Sequence, residues 1–239
     1  MTRLRTALAV PLVGAAVAHA LPAVTARRPA RLLTPRLAGH GRPGGVALTF
    51  DDGPDPYGTP AVLQTLADLG WRATFFMLGS QVHRFPDMAR LVVEAGHEVA
   101  VHGTTHRNHL IRTPLGIRRD LRAAVREISD VTGVRPRWFR PPYGIFSTGT
   151  FWAAREVGLV PVLWTAWGKD WQAGPPDRVA AEVMSTLRSG GTILLHDSDC
   201  TSRAGSWRST VASLPLLAAA LQDEGLEVRT LGDHLDPRC

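Results

Sequence analysis

Cysteine is scarce in this 239-residue sequence: Cys200 and Cys239 are the two, and neither stands at metal-ligand spacing from a histidine, so no chemistry is assigned to either. An even pair in an exported chain invites a disulfide, here tying the loop after His196 to the C-terminal tail, with two separate thiols as the alternative. Acidic residues are missing from the first 42 positions, which hold seven arginines. The rest of the chain sets 20 of the 27 basic residues against all 21 acidic ones, a balance of −1 that the formal net charge of +6 conceals. A nearly neutral folded part argues against a polyanion-binding surface, and with it against nucleic acid as a partner. Internal repeats and low-complexity tracts are absent beyond residue 45. The length fits one domain plus an extension, at roughly 100 to 200 residues per domain.

What the first segment does have is a basic start (Arg3, Arg5), an apolar stretch over residues 7–24 interrupted by Pro11 and His19, and the triplet Ala18-His19-Ala20. This is the pattern of an export signal with a small-residue cleavage site. Residues 21–24 prolong the apolar run toward Arg27-Arg28, so a retained single-pass anchor competes with cleavage after Ala20. Residues 1–24 are therefore assigned as signal peptide or membrane anchor, 25–44, rich in Arg, Pro and Gly, as a linker, and 45–239 as the folded domain. The expected location is exported, either secreted or membrane-attached at the extracellular face of a bacterial envelope.

From residue 45 onward short apolar runs alternate with longer amphipathic ones, the signature of parallel strands joined by crossover helices. Strands are expected at 46–50, 73–78, 98–102, 137–140, 161–164, 192–196 and 227–231. Helices are expected near 59–69, 86–95, 114–132, 149–157, 176–189 and 208–224, several closed by a glycine. The polar clusters fall at the C-terminal ends of strands: Asp51-Asp52, His102 to His106, Arg140 to Gly144, Asp170-Trp171 and His196-Asp197. In a barrel those ends converge on one mouth, whereas an open sheet would spread them along a crest, so a barrel is favoured.

Asp51 and Asp52 end an apolar run and are followed by Gly53-Pro54. A strand alternates its side chains, so adjacent carboxylates would be split between faces unless a sharp turn re-aims them around one centre. One could then bind a metal while the other handles a proton. His102 and His106, three residues apart, can face one point, and with a carboxylate they form a set that suits zinc with an open position, or equally a non-haem iron. Alone, such a histidine pair is as often structural.

Together and in this order, Thr49-Phe50-Asp51-Asp52-Gly53-Pro54, His102-x3-His106, Arg140-Pro141-Pro142-Tyr143-Gly144, Asp170-Trp171 and Leu194-Leu195-His196-Asp197 resemble the five motifs of the polysaccharide deacetylase family, the carbohydrate esterases with a NodB homology domain. The resemblance covers about residues 45–235. It implies an α/β fold, a distorted, incomplete (β/α) barrel of about seven parallel strands. It implies a divalent metal, zinc first with cobalt or another divalent ion as alternatives, held by Asp52, His102 and His106. It makes Asp51 the general base and Arg140 its partner, pairing through both guanidinium donors. Tyr143 supplies a backbone N–H toward the developing oxyanion, His196 is the general acid, and Asp170 keeps it charged. Trp171 and Leu194 fall to the substrate-binding wall. The implied reaction is hydrolysis of acetyl groups from N-acetylated sugars of a polysaccharide or oligosaccharide.

Two positions depart from the family pattern. Gly103 stands where Ser or Thr usually follows the first histidine, so Thr104 or Thr105 must brace that loop instead. Trp167 replaces the first Asp of Asp-x-x-Asp-Trp, and its indole belongs either to the core or to a sugar-binding cleft. His109 is read as a loop histidine, His83 and His97 as structural or solvent-facing, and His234 as a tail residue without a partner motif. The rivals are an O-acetyl ester hydrolase using the same groups, a phosphoesterase, which would want two metals and more cations, and a non-catalytic glycan binder, for which Asp51 and His196 would be superfluous.

Overall fold

Strand β1 (Gly45–Asp51) is buried at every position and lies at the centre of a parallel sheet. A strand covered on both faces needs no polar alternation, which is why its sequence reads as one apolar run. The computed structural model describes residue 14, residues 17–26 and residues 33–235. The remaining strands are β2 (Thr74–Met77), β3 (Glu98–Val101), β4 (Trp138–Phe139), β5 (Val160–Pro161), β6 (Ala166–Trp167), β7 (Thr192–His196) and β8 (Glu227–Arg229). Their order is β5-β4-β3-β2-β1-β7-β6, a curled, incomplete parallel barrel of seven strands, as expected from the sequence. β8 pairs with Gly45 to Ala47 of β1, on the edge that β2 takes over from Thr49.

The sheet ends of that order, β5 and β6, come from one stretch of chain. Val162 N–H still donates to Phe139 C=O at 2.9 Å, whereas Thr165 N–H donates to Thr192 C=O at 2.9 Å. The segment expected as one strand at 161–164 is thus split, because it crosses from the edge of β4 to the edge of β7 within a few residues and links the two ends of the curled sheet.

The α-helices of the described domain from residue 45 onward are α1 (Gly58–Asp68), α2 (Gly79–Arg84), α3 (Pro86–Glu94), α4 (Pro114–Thr132), α5 (Thr148–Val157), α6 (Pro176–Thr186), α7 (Trp207–Asp223) and α8 (Leu231–Leu235). α4 shows how the sequence makes them. Thr113 caps its first turn by accepting from Gly116 N–H at 3.1 Å, Pro114 follows at the helix start, and Ile117, Leu121, Ala124, Val125 and Ile128 recur on one buried face. Gly133, at φ 71°, ends it in the left-handed region. The sequence reading missed α2 and α8, both too short to show a period.

Period two along the strands sorts the core into two layers. Val46, Leu48 and Phe50 point outward to the helices, where Phe50 stacks on Phe75 with ring centroids 5.1 Å apart. Ala47, Phe76, Ala100, Trp138 and Val162 cluster inside the barrel. The same alternation puts Asp51, His102, Arg140, Leu194 and His196 on the inner face, at or near the strand ends.

Residues 33–44, assigned to a linker from composition, pack against the barrel. Ala38 is buried, Leu37 C=O accepts from Leu163 N–H at 2.7 Å, and Gly41 N–H donates to Gly190 C=O at 2.9 Å. Backbone hydrogen bonds hold this segment, and composition does not register them. The export signal or anchor falls largely outside the described residues, as does Cys239 with its disulfide alternative. Among the described residues Cys200 is a free, exposed thiol, and no helix is long and apolar enough to cross a membrane.

Candidate active site

Asp51 and His196 are register partners at the ends of β1 and β7, so the sheet itself sets the two carboxylate- and imidazole-bearing walls side by side. Asp52 lies one residue past the pairing with β2 and takes φ 78°, a left-handed conformation that costs a side-chain-bearing residue roughly 1–2 kcal/mol. That reversal, one residue earlier than the Gly53-Pro54 turn expected from sequence, brings the second carboxylate back over the same mouth. Gly53 is then needed for a close approach, since a Cβ there would stand 2.2 Å from Asp197 Oδ2.

Asp52 Oδ1 is 3.4 Å from His102 Nε2 and 3.6 Å from His106 Nε2, and the ligand atoms of these three residues all lie within 4.8 Å of one another. His102 Nδ1 is 2.8 Å from the carbonyl of Arg140. A carbonyl only accepts, so Nδ1 carries the proton and Nε2 presents its lone pair inward. Burial is the leading cause that lowers the pKa of both imidazoles, with the neighbouring His106 adding to it for His102 and Asp52 opposing it for His106. Asp52 Oδ1 is buried without a hydrogen-bond partner. Two imidazole nitrogens and a carboxylate oxygen thus converge on one point, a donor set that suits a divalent cation.

The loop carrying the two histidines is braced by Thr104, the first of the two candidates. Its N–H donates to Asp120 Oδ2 at 3.0 Å and its hydroxyl to Asp120 C=O at 2.8 Å. Gly103 takes φ 99°, a conformation that side-chain-bearing residues rarely adopt, and a Cβ there would press on Asp120 Oδ2 at 3.1 Å.

Arg140 is fully buried, 4.1 Å beneath the Phe76 ring centroid. Nη1 donates to Asp51 Oδ1 at 2.6 Å and to Thr49 Oγ1 at 2.9 Å, and Nη2 donates to Leu163 C=O at 2.8 Å. The pairing is therefore through one donor, not the expected two, since the second amino group is taken by the segment that links β5 to β6. Burial raises Asp51 to about 6, although Arg140 and then His196 pull it down. Replacing Arg140 by Met would strand a buried carboxylate. The expected cost is ~3–5 kcal/mol, read as a lower urea midpoint.

On the opposite wall His196 Nδ1 is 2.9 Å from Asp170 Oδ1, while Asp170 Oδ2 accepts from the His196 backbone N–H and from Thr210 Oγ1, each at 2.7 Å. Burial alone would lower His196, but the charge and hydrogen bond of Asp170, then Asp52 and Asp51, outweigh it and bring the imidazole to about 9. Tyr143 sits in a short turn at φ 62°, its ring edge-on to His106 at 4.4 Å. A cleft of about 660 Å³ joins these groups and is lined also by Leu194, Trp164, Trp167, Trp171 and Thr201. Trp167 stacks on Trp171 at 6.3 Å and meets Trp164 edge-on at 5.8 Å, so its indole is part core and part cleft wall.

Asp51, Asp52, His102, His106, Tyr143, Trp171, Leu194 and His196 line this cleft, while Arg140 and Asp170 are buried behind it against Asp51 and His196. His109 is not part of the cleft: it is buried with Nδ1 3.3 Å from Thr150 Oγ1. His83 pairs with Glu127, His97 accepts from Ala73 N–H, and His234 contacts Gly190 C=O. Thr49, although it opens the first motif, carries no role from the sequence, nor do Cys200, Thr201 and Thr210, which stand in none of the motifs.

The chain matches the family model described as polysaccharide deacetylase over residues 38–162. It is 37% identical over 194 residues to a chitooligosaccharide deacetylase of Bradyrhizobium sp. (strain ANU 289), covering 78% of this chain and 88% of that one. The chain belongs to the polysaccharide deacetylase family. Another polysaccharide deacetylase relative, a peptidoglycan-N-acetylglucosamine deacetylase of Bacillus cereus, is 33% identical over 80% of this chain and 87% of its own length. Among solved structures, a carbohydrate esterase family 4 pseudoenzyme from Bacillus anthracis superposes with TM-score 0.75 at 28% identity, over 83% of this chain and 67% of that one. The polysaccharide deacetylase fold alone therefore does not decide activity, and the side chains in the mouth must.

Proposed function

We propose that this protein is a metal-dependent hydrolase that removes acetyl groups from N-acetylglucosamine-type sugars of an envelope or extracellular glycan. The observation that carries the reading is the pairing, across one cleft, of the Asp52–His102–His106 cluster beside Asp51 with the His196–Asp170 pair. The relatives' named activities on chitooligosaccharide and peptidoglycan support the substrate class, and the basic, apolar N-terminal segment supports export. Zinc is the first choice of metal for two histidines and a carboxylate, and it would supply a Lewis acid for the acetyl carbonyl and the attacking water.

The chain's own groups then divide the proton work. Asp51, ionised and held by Arg140, takes a proton as water oxygen bonds to the acetyl carbon. The Tyr143 backbone N–H is assigned to the carbonyl oxygen as it gains charge. His196 gives its Nε2 proton to the sugar nitrogen as the C–N bond breaks, so acetate and a free amine leave. Trp167 and Trp171 offer aromatic faces to pyranose rings. Release of acetate from a panel of N-acetylated and O-acetylated glycans tests the bond. Release from esters with none from amides would replace the proposal with the ester reading.

His196 is protonated below about 9 and loses its proton as pH rises through that value, whereas Asp51 gains one as pH falls through about 6. The profile of kcat/KM is therefore expected to be bell-shaped between those limits. Asp170→Asn removes the main cause that raises His196, so burial prevails and the alkaline limb moves to lower pH at unchanged metal content. An unmoved limb would mean that another group sets it.

A further inference from the structure

We propose that Thr201 is a positioning residue for the carboxylate of Asp52, an inference that rests on the metal reading given above. The two oxygens of that carboxylate are treated differently. Oδ2 accepts from the Thr201 hydroxyl, while Oδ1, buried and without a hydrogen-bond partner, faces the Nε2 atoms of His102 and His106. Beyond the sheet ladder and at φ 78°, Asp52 has no neighbouring strand to fix its rotamer. The loop after β7 supplies the restraint. Cys200 Sγ lies 3.4 Å from the Asp52 carbonyl and donates to it, next to the Thr201 contact.

That loop is itself anchored. Cys200 N–H donates to Ser198 Oγ at 3.1 Å, Gly205 N–H to Asp199 Oδ2 at 2.6 Å, and Arg203 N–H to Trp171 C=O at 3.2 Å. The hydroxyl is therefore presented from a fixed backbone. It occupies one oxygen of Asp52 and leaves the other as the metal-facing one, as outer partners of ligating carboxylates do. Thr201 is solvent-exposed at the cleft rim, so removing its hydroxyl leaves the core intact.

The test strips wild type, Thr201→Val and Thr201→Ser with chelator and titrates each with Zn²⁺ by calorimetry. Thr201→Val is expected to bind zinc ~10- to 100-fold more weakly, with Thr201→Ser close to wild type. Metal-free Thr201→Val should melt lower than wild type, because Asp52 Oδ2 loses its donor, with Thr201→Ser close to wild type, and kcat of Thr201→Val should largely recover at saturating zinc. Zinc binding by Thr201→Val as tight as wild type, or by Thr201→Ser as weak as Thr201→Val, overturns the proposal alone. A wild type that binds no zinc overturns the metal reading, and this inference with it.

Discussion

Asp51→Asn is expected to retain its metal and lose roughly 10²- to 10⁴-fold in kcat, the scale for removing a general base. Asn preserves the side-chain shape, and its oxygen can still accept from Arg140 Nη1, which now donates to Asp51 Oδ1 at 2.6 Å. It cannot take a proton from water. The buried guanidinium also loses its counter-charge, so the variant should unfold at lower temperature, and rates must be measured well below that midpoint. Metal analysis decides the assignment. Loss of metal in Asp51→Asn, with retention in Asp52→Asn, would mean that the two carboxylates have exchanged roles.

His106→Ala is expected to abolish stoichiometric metal binding and, with it, activity. His106 is half-buried on the loop after β3, so its loss removes a ligand without opening the core. The effect should exceed the ~10- to 100-fold loss in metal affinity that follows removal of a group outside the ligand set. Full metal content in pure His106→Ala would contradict the Asp52–His102–His106 assignment. His109→Ala is the control, because that ring packs on Phe139 at 5.9 Å and belongs to the core.

The strand ends were legible in the sequence because each cluster follows an apolar run, and period two then decides which side chains turn inward. Asp51, His102, Arg140 and His196 stand at such ends, and the ordered motifs singled them out. The place of Asp52 does not follow from the period, since it depends on a positive φ that Asp tolerates but does not announce. Nor does the crossing between the two sheet ends, where the chain over 160–167 hands its hydrogen bonds from β4 to β7. The bracing hydroxyls were least legible. Thr49 and Thr210 look like ordinary strand and helix residues, and Thr201 lies in a polar loop whose partner is 149 positions away. The export signal and the linker boundary rest on composition, and the packing of residues 33–44 shows how backbone hydrogen bonds escape such a reading.

Deacetylation is decided by quantifying acetate and free amine released from an N-acetylglucosamine oligomer by the purified protein, chelated and then resupplied with zinc. Expected are equal amounts of both products, a rate that vanishes on chelation and returns with zinc, and no release by Asp51→Asn above roughly a hundredth of that rate. Absence of acetate release by the zinc-loaded protein, or release that Asp51→Asn sustains unchanged, would contradict the proposed reaction.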